Sequence, residues 1–142
     1  MKKYTILIIA TLFASCSNAQ KLNEKNVPTA VKDAFQKEYP NITNAKWEYE
    51  NGNYEVNFNL ENKEASLLID EQGDILETEI EIKTSELPKT VIDYTNANYK
   101  GKRIKEAARI INSKGEITYE AEIKEMDLIF DSNGNFIKTS KE

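Results

Sequence analysis

The side chains that could do chemistry in this chain are almost all carboxylates. Of its 142 residues, 24 are Asp or Glu and 19 are Lys or Arg; there is no His, and the one Cys is Cys16. Without His the chain lacks the commonest general base and the commonest zinc ligand. With a single thiol, Ser-His-Asp, Cys-His and His/Cys metal arrangements are excluded by inventory. What remains is acid chemistry. Paired carboxylates serve glycosidase-type or metal-assisted reactions when an apolar setting raises one pKa. No pair in the sequence stands in such a setting, so no catalytic residue is assigned. The segment Asp70-Glu71-Gln72-Gly73-Asp74 superficially resembles a calcium loop. An EF-hand needs oxygens at alternate positions and a Glu twelve along, between helices. This segment lies between strand patterns and reads as a turn. No metal and no cofactor is expected.

The acids are nonetheless patterned. Glu48 and Glu50, then Glu55 and Asn57, alternate with apolar residues, as do Glu77, Glu79 and Glu81, and again Glu120 and Glu122. In strands these would project together from one face, which makes them the candidate interaction face. Such a face either stays solvated and discourages edge-to-edge aggregation, or steers a cationic partner. That partner would be a basic protein, a cationic peptide or loosely held divalent ions. The formal charge of −5 repels phosphate backbones, which argues against nucleic acid.

The elements that must carry these residues occur twice. Val27-Pro28-Thr29-Ala30-Val31 returns as Leu87-Pro88-Lys89-Thr90-Val91, and Tyr39 returns as Tyr99. Tyr54-Glu55-Val56 is echoed by Tyr119-Glu120-Ala121, and the Asp70–Gly73 turn by Asp131–Gly134. Each copy opens with a helix: Val27, Val31, Ala34, Phe35 and Tyr39 keep helical spacing, as do Leu87, Val91, Thr95 and Tyr99. Pro28 and Pro88 suit a first helical turn, and Pro40 and Gly101 stop the helices. Clean alternation then predicts four strands per copy, at 45–50, 53–60, 64–69 and 75–82, and at 104–111, 116–123, 125–130 and 135–139. The expected fold is α+β. Each copy has one helix and a four-stranded antiparallel sheet, with the helices on one face. Only Lys83-Thr84-Ser85-Glu86 separates the copies, so they are expected to pack together around a continuous sheet. Trp47, Tyr49, Tyr54, Phe58 and Phe35 are the expected core of the first half.

The N-terminus reads Met1-Lys2-Lys3, an apolar run over 4–14, then Ser15-Cys16-Ser17-Asn18-Ala19-Gln20. These are the parts of an export signal, and the run is too short to span a membrane. Two cleavage sites compete. Ser17-Asn18-Ala19 before Gln20 suits ordinary processing, giving a signal at 1–19. Phe13-Ala14-Ser15-Cys16 resembles a lipobox, giving a signal at 1–15 and an acylated Cys16 that would be the only membrane attachment. Either way the folded part has no disulfide, and its core must suffice alone. The copies then occupy 20–82 and 83–142. An exported location follows: periplasmic, outer-membrane-associated or secreted.

The order of Val27-Pro28, Tyr54-Glu55-Val56 and Asp70–Gly73, repeated at Leu87-Pro88, Tyr119-Glu120-Ala121 and Asp131–Gly134, resembles the PepSY-like, beta-lactamase-inhibitor-like family of exported bacterial proteins. The resemblance covers nearly all of the chain after the signal. It implies a tandem α+β repeat in the envelope or outside the cell, typically in Bacteroidetes-type bacteria, with no enzymatic activity. An inhibitor that clamps an enzyme on its sheet needs aromatic anchors on the exposed face. Here the aromatics alternate onto the core side. The expected function is therefore a non-enzymatic module that engages an envelope protein or peptide through a sheet face or the cleft between copies. A periplasmic carrier of a small apolar ligand, or an inhibitor of a secreted or periplasmic enzyme, is the alternative.

Overall fold

A computed structural model describes residues 20–124 and 126–140. Its strands are β1 (Gln20–Leu22), β2 (Ala45–Glu50), β3 (Asn53–Leu60), β4 (Lys63–Ile69), β5 (Ile75–Ile82), β6 (Glu106–Asn112), β7 (Ile117–Ile123), β8 (Met126–Asp131) and β9 (Phe136–Ser140). Two helices, α1 (Thr29–Glu38) and α2 (Lys89–Asn98), interrupt them, each preceded by one short 3-10 turn. All nine strands form one sheet in chain order, β1 to β9, and every pairing is antiparallel.

This overturns the expectation of one helix with its own four-stranded sheet in each copy. The last strand of the first copy pairs with the first strand of the second, from Glu77 opposite Asn112 to Ile82 opposite Ala107. Two separate sheets would leave both of those edges with unpaired backbone groups, and joining them satisfies both. Sequence reasoning also missed β1, which pairs with β2 from Gln20 opposite Tyr49 to Leu22 opposite Trp47. Three residues are too few to show a period of two.

The helices start one residue later than the prolines suggested. Pro28 and Pro88 are extended cap residues, with ψ of 147° and 138°. Each places its carbonyl to accept the first helical N–H, from Lys32 (3.1 Å) and from Val91 (2.9 Å). Each helix closes alike: the Tyr39 N–H donates to the Phe35 carbonyl and the Tyr99 N–H to the Thr95 carbonyl, both at 2.8 Å.

Two clusters make the core. Between α1 and the sheet, Val31 and Phe35 of the helix meet Trp47, Val56, Phe58, Leu67 and Ile69; between α2 and the sheet, Val91 meets Ala107, Ala121, Ile123, Leu128 and Phe130. Ile80 packs on the first cluster and Ile82 on the second. Those two residues share one side of β5, so both helices lie on the same face of the sheet. The opposite face is left bare by the helices.

The repeated Asp-x-x-Gly turns seat each helix. Asp70 Oδ1 accepts the N–H groups of Gln72 (3.0 Å) and Asp74 (2.9 Å), and Asp131 Oδ1 accepts those of Asn133 (2.9 Å) and Asn135 (2.8 Å). The aspartates thus hold turns together, as the sequence suggested for Asp70. Gly73 and Gly134 have positive φ (90° and 79°), and both meet the first turn of a helix. A Cβ on Gly73 would lie 2.7 Å from the Ala30 carbonyl oxygen; one on Gly134 would collide with the Thr90 hydroxyl.

Candidate functional site: an acidic groove across the repeat junction

The face away from the helices is built in rows, because residues opposite each other in neighbouring strands share a side. One row runs Glu48, Glu55, Leu68, Glu77, Asn112. The next runs Lys46, Asn57, Ser66, Glu79, Ile110, Thr118, Asp131. A third joins Glu81, Ala108, Glu120, Ile129 and Lys138. Glu106, Glu122, Asp127 and Ser140 make the fourth.

These rows enclose a groove of about 330 Å³ across the junction of the copies. Glu48, Glu50, Glu55, Asn57, Glu79, Glu81 and Glu120 of the expected face line it. Glu77 and Glu122 stand beside it instead. Glu77 is opposite Leu68 and Asn112, and Glu122 is opposite Glu106 and Asp127, with its Oε1 3.3 Å from Lys105 Nζ. Cys16 lies outside the described residues.

Sequence reasoning missed Glu64, Ala65, Ser66, Glu106, Ala107, Ala108 and Asp127 in the lining, and the buried apolar residues beside it on the same face. Leu68, Ala108, Ile110 and Ile129 are all buried although they point away from both helices. The signal was present. Leu67-Leu68-Ile69 and Leu128-Ile129-Phe130 are unbroken apolar runs, and a strand that breaks alternation with apolar residues is buried on both faces.

Those buried neighbours change the acids beside them. Burial pushes the Glu79 carboxyl up to about 7, helped by the charges of Glu55, Glu77 and Asp127. Glu55 is raised for the same first reason, with Glu48 and Glu50 adding repulsion, while hydrogen bonds from Ser66 and Asn57 oppose the shift. The charge of Glu122 raises Glu106. The sequence singled out no pair of acids in an apolar setting; Glu79, near Glu55 and Glu77, is in one. Its register neighbours Ser66 and Ile110, with Leu68 on the diagonal, keep water from it. Elsewhere the backbone takes part: the Glu64 N–H donates to Glu81 Oε2 at 3.0 Å.

Chemically, the groove offers carboxylates spread over strands from both copies, and among the described residues its lining holds no Lys or Arg. Among the described residues no three His, Cys, Asp or Glu side chains converge to hold a metal ion. The aromatic residues are on the other face: Trp47 and Phe58 are buried under α1, and Phe130 under α2. Among the described residues no helix is long and apolar enough to cross a membrane.

The fold and this groove define a duplicated helix-on-sheet protein with one face bare and acidic. The family described as "Putative beta-lactamase-inhibitor-like, PepSY-like" matches twice, at residues 15–77 and 70–138, and the chain belongs to that family. Three solved structures from Bacteroides share the fold. One, from Bacteroides eggerthii and described as "putative periplasmic", has a TM-score of 0.73 at 13% identity, over 81% of this chain and 88% of its own. A DUF2874 family protein from Bacteroides uniformis gives 0.71 at 18%, over 80% and 88%. A BLIP-like protein from Bacteroides fragilis gives 0.60 at 25%, over 80% and 86%. No curated protein matches the chain.

Proposed function

We propose that this chain is a non-enzymatic, exported binding module, which holds a cationic segment of an envelope protein or peptide in the groove across its repeat junction. The observation that carries the reading is the groove itself: a sheet face lined by acids from both copies, with no cation in the lining among the described residues. Complementary charge of this kind speeds encounter and selects partners. Export is supported by the basic start and apolar run of 1–14, and a periplasmic address by what the Bacteroides eggerthii relative is described as. A carrier of apolar molecules fits less well, because such pockets are lined mainly by apolar and aromatic side chains. An inhibitor that clamps its enzyme with aromatic anchors fits poorly too, since the aromatics serve the helix face.

A photo-crosslinking residue placed at Asn57, compared with one at Lys32 on α1, tests the reading in envelope preparations of the host. A partner captured only from the Asn57 position, and lost when Glu55 and Glu79 are both changed to Lys, supports it. Equal capture from both positions counts against it. Glu79 also carries the second reading, since a carboxyl titrating near neutral pH in a groove suits a general acid. Glu79→Gln that keeps capture but abolishes a cellular phenotype would favour an enzyme.

A further inference from the structure

We propose that the groove is proton-gated: a proton held among Glu79 and the carboxylates around it leaves when a cationic segment docks, and returns when that segment departs. This deepens the function proposed above and rests on it.

The geometry follows from one position in the sheet. Glu79 is in the middle of β5, with β4 on one side and β6 on the other. From β4 it faces Ser66, flanked by Glu64 and Leu68; from β6 it faces Ile110, flanked by Ala108 and Asn112. Glu77 and Glu81 are its neighbours along β5. Beyond these strands come Glu55 and Asn57 from β3, Glu120 from β7 and Asp127 from β8. The helices are on the other face. The nearest cations in these rows are Lys46 on β2, three strands from Glu79, and Lys138 on β9, four strands from Glu81.

Glu79 therefore meets like charge, amide or hydroxyl groups, and hydrocarbon in every direction along the face. Like charges at close range, beside buried side chains that exclude water, cannot all be ionised together without cost, and a proton relieves them. A docking ammonium or guanidinium relieves them by another route and makes the proton unnecessary. The two ligands compete for one site, so each lowers the affinity of the other. The raised pKa of Glu79 puts this exchange near neutral pH.

The test is isothermal titration calorimetry on the exported, processed protein, with a synthetic peptide of alternating Lys and Ala as the probe. Runs at about pH 6 and about pH 8, each in two buffers of different ionisation enthalpy, count the protons released. The expected result is proton release at the lower pH. Affinity should also rise by about tenfold between the two, as expected when docking expels the proton from a carboxyl that titrates at about 7. Glu79→Gln, which keeps the shape and removes the titrating group, should bind at both pH values with the rise flattened. Wild-type binding without proton release, or an undiminished rise in Glu79→Gln, overturns the proton gate and leaves the cation-binding reading standing. No binding by wild type at either pH overturns that reading, and the gate with it.

Discussion

The two copies share a backbone plan and fill it in opposite ways. In the first, bulk is central: Phe35 lies 5.6 Å from Trp47 and 5.2 Å from Phe58, ring centre to ring centre. The positions that correspond in the second copy hold Thr95, Ala107 and Ile123, all small or aliphatic and all buried. There the rings are displaced toward the β8–β9 turn. Tyr94 stacks on Phe136 at 4.8 Å and meets Phe130 edge-on at 5.6 Å, where the first copy has Ala34, Ile75 and Ile69. Volume removed at one end of the core is replaced at the other. What stays constant is the proline cap, the aspartate-held turn and the glycine against the helix start. Backbone geometry is the fixed part of the repeat, and side-chain packing is the adjustable part.

The comparison breaks first at its aromatic centres. Trp47→Ala and Phe130→Ala should each cost about 4 kcal/mol, the usual size for removing a large buried ring, read from urea unfolding. A nearly silent result at either would mean that one copy carries the stability of both.

A second asymmetry is electrostatic. β5 and β9 end their copies in the same way, each with a register shift where it leaves the turn. Yet β5 is covered by β6 while β9 is the edge of the sheet, and the positions of Glu77 and Glu79 correspond to Lys138 and Ser140. Glu79 holds its proton up to about 7 in the folded protein, where an ordinary Glu has lost it by about 4.5. Below both values the two states bind the proton equally. Between them only the native state keeps it, so stability falls as pH rises through this window, by a total on the order of 3 kcal/mol. Glu79→Gln should remove most of that fall in melting curves taken from about pH 4 to about pH 8.

The turn glycines sharpen the comparison further. Gly73→Ala drives a Cβ against a backbone carbonyl that cannot rotate away, and should cost about 2–3 kcal/mol including the left-handed backbone. Gly134→Ala meets a side chain that can turn, at the expense of the bond from the Thr90 hydroxyl to the Asn133 carbonyl (3.0 Å). It should cost less, and adding Thr90→Ala should recover part of the loss, by about 1 kcal/mol in a double-mutant cycle. Equal penalties at both glycines would show that it makes no difference whether backbone or side chain of the helix meets the new Cβ. The smallest effect is expected at Thr95, whose hydroxyl donates only to the Val91 carbonyl of its own helix at 2.9 Å. Thr95→Val should change unfolding by under about 1 kcal/mol, since the carbonyl keeps its helical N–H.

Much of this was legible beforehand, and for identifiable reasons. The phrases Val27-Pro28 and Leu87-Pro88, with the two Asp-x-x-Gly turns, gave both helices and the duplication, because caps and turns need particular residues at fixed offsets. Alternation put Glu48, Glu50, Glu55, Asn57, Glu79, Glu81 and Glu120 on one face, where the groove collects them. The four-residue linker at 83–86 pointed to a continuous sheet, but not to the strand pairing that makes it one. Nothing in β5 or β6 alone says which edge it will meet, since pairing between distant strands is a tertiary choice. The shifted carboxyl was missed for a related reason. Glu79 looks like any other member of Glu77-Thr78-Glu79-Ile80-Glu81, and only strands brought in from both sides desolvate it.

One feature of the sheet bears on how such a chain acquires its shape. Its spatial order is its chain order, so each strand finds its partner across a hairpin turn or, between β5 and β6 and between β1 and β2, across one short helix. Contacts this local carry a small loop-closure penalty and favour rapid folding. A polypeptide threaded N-terminus first through a pore could add one strand at a time to a growing edge. No segment need wait for a distant one to emerge, and no disulfide would be required to hold an early intermediate in place.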